Sequence, residues 1–202
     1  MQTMANPMPG DLKTEVHFIG QIVGAKGFDL PEAGLFCEVQ LEYGEHWQEL
    51  PNKLEHSIQT QTSYPNPADF VVWAHSIDFH FATESIFGWP KLLMRVWRLD
   101  LVGRIDLIAY GVASLPSSAG YFEIQCPTWR PLGKWHEETM AFFVGGPPRL
   151  TSQDVLTKNE GDRAKVASVA GGVVHLQLEV VLRNFDNHFA GGQMQTIVER
   201  PY

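Results

Sequence analysis

Asp100 and Asp106 are the residues of this 202-residue chain whose types and spacing most readily suggest chemistry. They stand on either side of a short polar turn, and Arg98 precedes the first of them. Carboxylates from neighbouring loops are the oxygen ligands that Ca²⁺ prefers, and affinity rises with ligand charge. A guanidinium beside two carboxylates instead favours an ion pair that holds the loop. The three residues therefore predict an acidic loop held by an ion pair, which does not favour binding of a divalent cation.

The eight histidines suggest a zinc site less strongly. His75, Asp78 and His80 lie on one predicted strand, but alternation places His75 on the face opposite the other two. Zinc normally takes three or four protein ligands, so these residues are expected to be surface polar groups. The sequence contains no nucleophile elbow, zinc-protease helix or phosphate-binding glycine loop. We therefore expect no enzyme activity, no cofactor and no small-molecule substrate.

Charge and composition exclude several classes of partner and compartment. Fifteen basic and 23 acidic residues give a formal net charge of −8, and the basic residues are scattered. Nucleic acids are bound by clustered Lys and Arg, and anionic membranes by similar patches, so neither is expected. The chain shows no signal peptide and no apolar run of the roughly 20 residues that span a membrane. Cys37 and Cys126 are expected to be reduced, buried thiols of a cytoplasmic protein.

Apolar residues alternate with polar ones through most of the chain, which predicts β-strands. Two strands flank the acidic turn, and six more are predicted, giving the set 15–23, 35–43, 57–62, 71–82, 92–98, 107–115, 121–126 and 173–185. Eight antiparallel strands joined by turns rich in Gly and Pro predict an all-β sandwich. One short helical insertion is predicted at 134–144, before a Gly-Gly-Pro-Pro stop. Residues 1–14 and 188–202 are predicted to be flexible tails around a domain spanning 15–187.

Large side chains in the predicted loops suggest a protein interface. Trp and Arg are enriched at interfaces and often supply much of the binding energy. The candidates are Trp89, Trp129, Arg130, Trp135 and Phe143. For Trp89 the alternative stays open that the ring plugs one end of the sandwich. For the dense group of Trp129, Arg130 and Trp135, an interface is the favoured interpretation.

The acidic turn and its flanking strands resemble the third loop region of C2 domains. In that family the pattern Asp-x-Asp-x5-Asp holds calcium against a membrane. Arg98, Asp100 and Asp106 stand at the three positions, so a cation replaces the first ligand. In the loop that matches the first calcium loop, Asp29 and Glu32 are close to the ligand positions but out of register. The resemblance implies a C2-like sandwich with a degenerate calcium loop.

Longer segments resemble the B9 domain family, a branch of C2-like proteins. The matching segments are His-Phe-Ile-Gly-Gln-Ile at 17–22, Leu-Phe-Cys at 35–37, Trp-Ala-His-Ser-Ile-Asp-Phe-His-Phe-Ala-Thr at 73–83, Gly-Trp-Pro at 88–90, Cys-Pro-Thr-Trp-Arg-Pro-Leu-Gly at 126–133, Phe-Val-Gly-Gly at 143–146 and Leu-Arg-Asn-Phe-Asp at 182–186. They extend over nearly the whole predicted domain. Ser76 departs from the family's Pro, and the segment 43–69 fits loosely.

This resemblance implies a non-enzymatic scaffold at the ciliary transition zone and basal body. The implied partners are the other B9-domain paralogues and the proteins of the Meckel syndrome and tectonic complex. That complex supports ciliogenesis and the ciliary diffusion barrier, and the scaffold role also allows peripheral contact with the membrane without calcium. No catalytic residue is carried over. The alternative is a calcium-dependent phospholipid-binding C2 domain.

Overall fold

A computed structural model of the protein describes residues 13–51, 57–132 and 167–185. In these ranges the chain forms nine strands: β1 (Thr14–Lys26), β2 (Gly34–Glu42), β3 (Trp47–Leu50), β4 (Ser57–Gln59), β5 (Phe70–Thr83), β6 (Lys91–Leu99), β7 (Ile105–Ser114), β8 (Gly120–Pro131) and β9 (Ser168–Arg183). Every strand pairing is antiparallel. The predicted all-β antiparallel fold is confirmed. No helix in the described ranges is long and apolar enough to cross a membrane.

The strands form one continuous sheet in the order β3-β5-β1-β9-β8-β7-β6-β2-β4. Its narrowest ladder joins β7 to β8 through only two residue pairs, Tyr110 with Trp129 and Gly111 with Thr128. We call this ladder the seam. On one side lie β3, β5, β1, β9 and β8, and on the other β7, β6, β2 and β4. The sheet curls at the seam, so its two parts enclose a core as the layers of a sandwich do.

Both layers contribute side chains to a single core. Phe18 and Leu176 come from one layer and Met94 from the other, and all three are essentially inaccessible to solvent. The indole Nε1 of Trp73 on β5 donates a hydrogen bond of 3.0 Å to the carbonyl of Leu35 on β2. This bond crosses the core and satisfies a buried donor. The layers are therefore parts of one domain with one core.

The alternation seen in the sequence decides which side chains face this core. On β9, four alternating residues are at most 2 % exposed: Val174, Leu176, Leu178 and Val180. Their neighbours His175, Gln177 and Glu179 face outward and are half-buried or exposed. Val39 and Leu41 of β2 belong to the same cluster as the inward residues of β9, so the two layers pack against each other there.

The strands differ from the predicted set in number and in extent, with nine in place of eight. The short edge strand β3 was not predicted, because its four residues are too few to show a period and the surrounding segment resembles the family only loosely. Its Trp47 is nevertheless buried and donates through Nε1 to the carbonyl of Phe87 at 2.9 Å. β8 runs to Pro131 rather than ending at Cys126. A register shift between Pro127 and Trp129 lets the strand continue past a residue without an amide proton.

The predicted helix and the two predicted tails lie almost entirely outside the described residues. The helical insertion at 134–144 lies outside the described residues. Of the predicted tails, only the end of the first is described, where β1 already begins at Thr14. The domain limits of 15–187 stay a prediction.

Candidate functional site

Strand register places two loops at the same end of the sandwich. Gly34, the first residue of β2, pairs with Leu99, the last residue of β6. The β1–β2 loop (27–33) and the β6–β7 loop (100–104) therefore lie side by side. We call these two loops the calcium-loop end, after the family feature that they resemble.

The carboxylate of Asp100 organises the β6–β7 loop. Its Oδ1 accepts hydrogen bonds from the backbone amides of Val102 at 2.9 Å and Arg104 at 2.8 Å. Its Oδ2 accepts a third bond, at 2.7 Å, from Nε of Arg104. Desolvation acts to raise the pKa of Asp100, but the hydrogen bonds and charge of Arg104 and the amide of Val102 together hold it below its ordinary value. The oxygens that calcium would need are thus used by the loop itself.

Arg98 forms an ion pair with Asp106 on the adjacent strand. Its Nη2 lies 2.7 Å from Oδ2 of Asp106, and Asp106 is only 4 % exposed. The sequence placed Arg98 beside both carboxylates, whereas Asp100 pairs with Arg104, a residue that the motif did not single out. Each carboxylate of the degenerate calcium loop therefore has its own guanidinium.

The other acidic residues of the described ranges do not assemble a metal site either. Asp29 and Glu32 lie at the same end as Asp100 and line a common groove with it. In the part of the chain that is described, no three His, Cys, Asp or Glu side chains are grouped so as to hold a metal ion. The absence of calcium binding stays a prediction, now supported by the two ion pairs.

His17 of β1 and His80 of β5 each contact an acidic side chain on the other strand. Nε2 of His17 lies 2.6 Å from Oδ1 of Asp78, and Nε2 of His80 lies 3.3 Å from Oε2 of Glu15. The rings of His17 and His80 stack with their centroids 4.8 Å apart. This arrangement is a polar ladder between neighbouring strands, in keeping with the surface role expected for Asp78 and His80.

The two cysteines are free and lie in the core. Cys37 is inaccessible to solvent and Cys126 is 1 % exposed. Burial, with smaller contributions from the nearby Cys126 and Glu38, raises the pKa of the Cys37 thiol far above its ordinary value. Because the thiolate is the reactive form, Cys37 is an inert core residue at neutral pH.

Trp89 lies at the opposite end of the sandwich from the calcium-loop end. Its ring makes edge contacts with Trp47, Phe18 and Phe185 at centroid distances of 4.9, 6.4 and 6.3 Å. The preceding Gly88 has a φ of 70°, and a Cβ there would lie 2.5 Å from the Cα of Gly44. This packing favours the alternative in which Trp89 closes the end of the sandwich.

Trp129 and Arg130 lie in β8 and not in a loop. Both are half-buried and pair with β9 residues, Trp129 with Ala170 and Arg130 with Val169. The expected loop position was wrong because Pro127 and Pro131 were interpreted as turn residues, although β8 accommodates them at a register shift and at its end. Their role at an interface stays a prediction.

The ring of Trp129 belongs to a second apolar cluster, separate from the main core. It packs at 5.9 Å from Tyr110 on β7, and Leu93 and Leu107 are buried beside them. These residues face away from the main core, since Leu93 alternates with the core residues of β6. Trp135 and Phe143 lie outside the described residues.

The most exposed apolar residues at the calcium-loop end were missed by the sequence analysis. Leu101 and Val102 are each 76 % exposed. The signal was available as two consecutive apolar residues inside a turn bounded by Asp100 and Gly103.

Comparison with known proteins connects this fold to a family. The chain matches the B9-C2 family, described as ciliary basal body-associated B9 protein, over residues 16–181. It is 45% identical to B9 domain-containing protein 2 of Homo sapiens over 174 residues, which are 86% of this chain and 97% of the relative. It is 25% identical to B9 domain-containing protein 1 of Mus musculus over 151 residues, which are 74% of each protein.

A solved structure was also found to align with this one. It is a C2 domain of plant Extended Synaptotagmin 1, with a TM-score of 0.43 and 14% identity over 84% of this chain and 95% of that one.

The family match runs from the start of β1 almost to the end of β9. It therefore includes both layers, the calcium-loop end and the seam. The names of the relatives denote a domain family and no enzymatic activity. The resemblance seen in the sequence is confirmed: this chain belongs to the B9-C2 family of ciliary basal body-associated proteins.

Proposed function

We propose that this protein is a non-enzymatic scaffold subunit of a Meckel syndrome and tectonic type of complex at the ciliary transition zone. In this role it is cytoplasmic, binds the other B9-domain paralogues, and supports ciliogenesis and the ciliary diffusion barrier. The observation that carries the proposal is the 45% identity to human B9 domain-containing protein 2 over 97% of that relative. Because the identity extends over the whole relative, it supports a shared role as well as a shared fold.

The environments of the acidic side chains and of Cys37 favour a role in binding over a role in catalysis. The acidic side chains of the degenerate calcium loop are held in ion pairs with Arg98 and Arg104. The thiol of Cys37 is buried and unreactive. We therefore propose neither a substrate nor a resident cofactor, and with a net charge of −8 no nucleic-acid partner.

We propose that Trp129 and Arg130 belong to the surface that meets a B9-domain paralogue, with Trp135 and Phe143 as further candidates. Trp129 lies in the seam and Arg130 follows it, where β8 belongs to one layer and pairs with β7 of the other. A partner at this position would contact both layers of the domain. Trp and Arg at such a position are the types that most often dominate binding energy.

Co-purification with the B9 domain-containing protein 1 of the same organism tests this proposal. The full chain and a tagged paralogue are expressed together and recovered on the tag. We expect wild type to be retained, and Arg130→Glu to be retained at least about tenfold less, as for an interface hot spot. Gln125→Glu is the matched control, since it introduces the same carboxylate at an exposed position of the same strand.

Melting temperatures separate binding from folding in this experiment. We expect both variants to melt within a few degrees of wild type. Failure of wild type to co-purify would contradict the scaffold proposal itself. Equal retention of Arg130→Glu and the control would contradict only the assignment of Arg130 to the interface.

Localisation provides a second, independent test. A fluorescently tagged chain in ciliated cells is expected at the base of the cilium, and its depletion is expected to lower the fraction of ciliated cells. A diffuse signal, with ciliation unchanged after depletion, would contradict the proposal.

A calcium-dependent phospholipid-binding role is the second candidate. It is favoured by the side-by-side position of the 27–33 and 100–104 loops, but the guanidinium of Arg98 opposes a divalent cation there. Two close like charges repel each other by about 4 kcal/mol at intermediate dielectric. We expect no saturable heat in a calorimetric titration with millimolar Ca²⁺ and no calcium-dependent sedimentation with vesicles. Calcium-dependent sedimentation would favour this second candidate, whereas sedimentation without calcium would indicate peripheral membrane contact.

A further inference from the structure

The calcium-loop end contains an apolar groove between its two loops. Leu30, Pro31 and Ala33 contribute one wall, and Leu101 and Val102 contribute the other. The groove has a volume of about 340 Å³. Small-molecule pockets begin at roughly 300 Å³, so this space admits one or two bulky side chains and no large ligand.

Both walls are held by internal hydrogen bonds. Asp100 accepts bonds from the amides of Val102 and Arg104, which fixes the turn that carries Leu101 and Val102. In the other loop the amide of Ala33 donates to the carbonyl of Leu30 at 3.2 Å. A groove with fixed walls loses little conformational entropy when a partner binds, which favours binding.

The rim of the groove has a negative charge. Its lining includes Asp29, Glu32 and Asp100 and contains neither Lys nor Arg. The charge of Asp100 is balanced by Arg104, 2.7 Å away. Asp29 and Glu32 are exposed and form no ion pair with any residue in the described ranges. Two uncompensated carboxylates therefore stand beside an apolar surface.

We propose that this groove docks a short segment of a partner protein that carries one or two bulky apolar side chains next to Lys or Arg. The apolar side chains cover Leu101 and Val102, which are otherwise 76 % exposed, and the basic residues approach Asp29 and Glu32. An anionic membrane is disfavoured as the occupant because the same carboxylates repel it. The inference concerns a different surface from Trp129 and Arg130, and it does not depend on the complex that the protein joins.

Binding of defined peptides to the purified full chain tests this inference. The probe is a fluorescein-labelled peptide, Gly-Lys-Lys-Leu-Leu-Lys-Lys-Gly, followed by fluorescence anisotropy at low salt. One matched peptide replaces every Lys by Glu, and another replaces every Leu by Ser. We expect saturable binding of the first peptide alone, weakened by added salt because exposed charges are screened.

Two double variants locate the binding on the protein. Leu101→Ser with Val102→Ser removes the apolar wall, and Asp29→Asn with Glu32→Gln removes the charge. Asn suits position 29, where φ is 51°. Each double variant is expected to weaken binding about tenfold. The first loses an apolar contact with the peptide, and the second loses two exposed ion pairs.

The control is Ile86→Ser with Phe87→Ser, in the β5–β6 loop at the opposite end of β6. These residues are 43 % and 79 % exposed, so the control also removes two exposed apolar side chains. It is expected to bind the peptide as wild type does. No saturable binding by wild type, or equal affinities for the variants and the control, would overturn the inference. One further result would overturn it. In that result the chain does not bind the peptide but sediments with phosphatidylcholine vesicles, and the sedimentation is lost when Leu101 and Val102 are replaced.

Discussion

At the scale of single residues, two ion pairs of the same length differ in their surroundings. Arg98 and Asp106 meet at 2.7 Å, as do Arg104 and Asp100. The Asp106 side chain is 6 % exposed, whereas the Asp100 side chain is 17 % exposed and also accepts hydrogen bonds from two loop amides. Removing one partner of a buried pair leaves a desolvated charge, while a more exposed carboxylate that keeps other donors loses less. The two pairs are therefore expected to differ in their contribution to stability.

We predict that Arg98→Ala lowers the free energy of unfolding by about 2 kcal/mol or more, because Asp106 loses its guanidinium. Arg104→Ala, the matched change, is expected to lower it by clearly less, since exposed ion pairs contribute little. Urea denaturation of both variants measures the difference. Equal losses would show that burial does not decide the strength of these pairs.

A second prediction concerns the titration of Asp100. Its pKa in the folded protein lies below its ordinary value of 3.8, so the hydrogen-bonded loop adds stability above the unfolded pKa. That contribution is lost as the pH falls through the lower, folded pKa. We expect the amide signals of Val102 and Arg104 in NMR spectra to titrate together at this pH.

Asp100→Asn is the control for this titration. It keeps an oxygen acceptor for the loop amides but carries no proton that can titrate in this range. The pH-dependent shift of the Val102 and Arg104 amides should therefore disappear in this variant. A midpoint at or above 3.8 in wild type would contradict the prediction.

At the scale of secondary structure, β9 lies near the middle of the sheet and has two unlike faces. It pairs with β1 on one side and β8 on the other. Leu178 faces the core and is inaccessible to solvent, whereas Val181 faces outward and is 46 % exposed. Substitutions of the same chemistry on the two faces should therefore have very different effects.

We predict that Leu178→Asp yields insoluble or unfolded protein. A buried carboxylate without a partner has a penalty comparable to the roughly 5–15 kcal/mol that stabilises a typical domain. Val181→Asp is expected to change the free energy of unfolding by about 1 kcal/mol or less, since the new charge stays in water. Soluble yield and circular dichroism measure the outcome. If both variants fold equally well, the assignment of Leu178 to the core face of β9 is wrong.

At the scale of the whole molecule, the two layers share one core, and in the described ranges their strands pair with each other only along the narrow seam. The seam is supported by Thr128, whose Oγ1 donates a hydrogen bond of 2.6 Å to the carbonyl of Gly172. A Cβ on Gly171 would lie 2.7 Å from Oγ1 of Thr128 and 3.2 Å from the Cβ of Ala109. The backbone therefore approaches closely where the sheet curls. Because the core is shared, neither layer is expected to be stable alone.

We predict a single cooperative unfolding transition, with midpoints that coincide in far-ultraviolet circular dichroism and in tryptophan fluorescence. Thr128→Val should lower the free energy of unfolding by about 1–3 kcal/mol, because the buried carbonyl of Gly172 loses its donor. The transition of this variant should stay single. Two separated transitions, in wild type or in the variant, would indicate that the layers unfold independently.

Much of this architecture could be predicted from the sequence, because alternation is a local property of the chain. The inward residues of β5 and β9 were identified correctly, since one face of each strand is consistently apolar. Trp129 and Arg130 were assigned to a loop because local rules treat Pro as a turn residue. Whether a strand can contain Pro127 depends on the register of its neighbour, which the local sequence does not encode.

The sequence by itself determined most of the strands, the inward faces of β5 and β9, the family, and the presence of Arg98, Asp100 and Asp106 in one loop region. Only the tertiary structure decided which charges pair. Register places Arg98 directly opposite Asp106 on the neighbouring strand, while Asp100 lies beyond the end of β6 and pairs with Arg104. It also brought the 27–33 loop beside Leu101 and Val102, because β2 and β6 pair in antiparallel register although they are distant in sequence. Contacts between distant segments depend on this pairing, whereas alternation depends only on the order of residues along each strand.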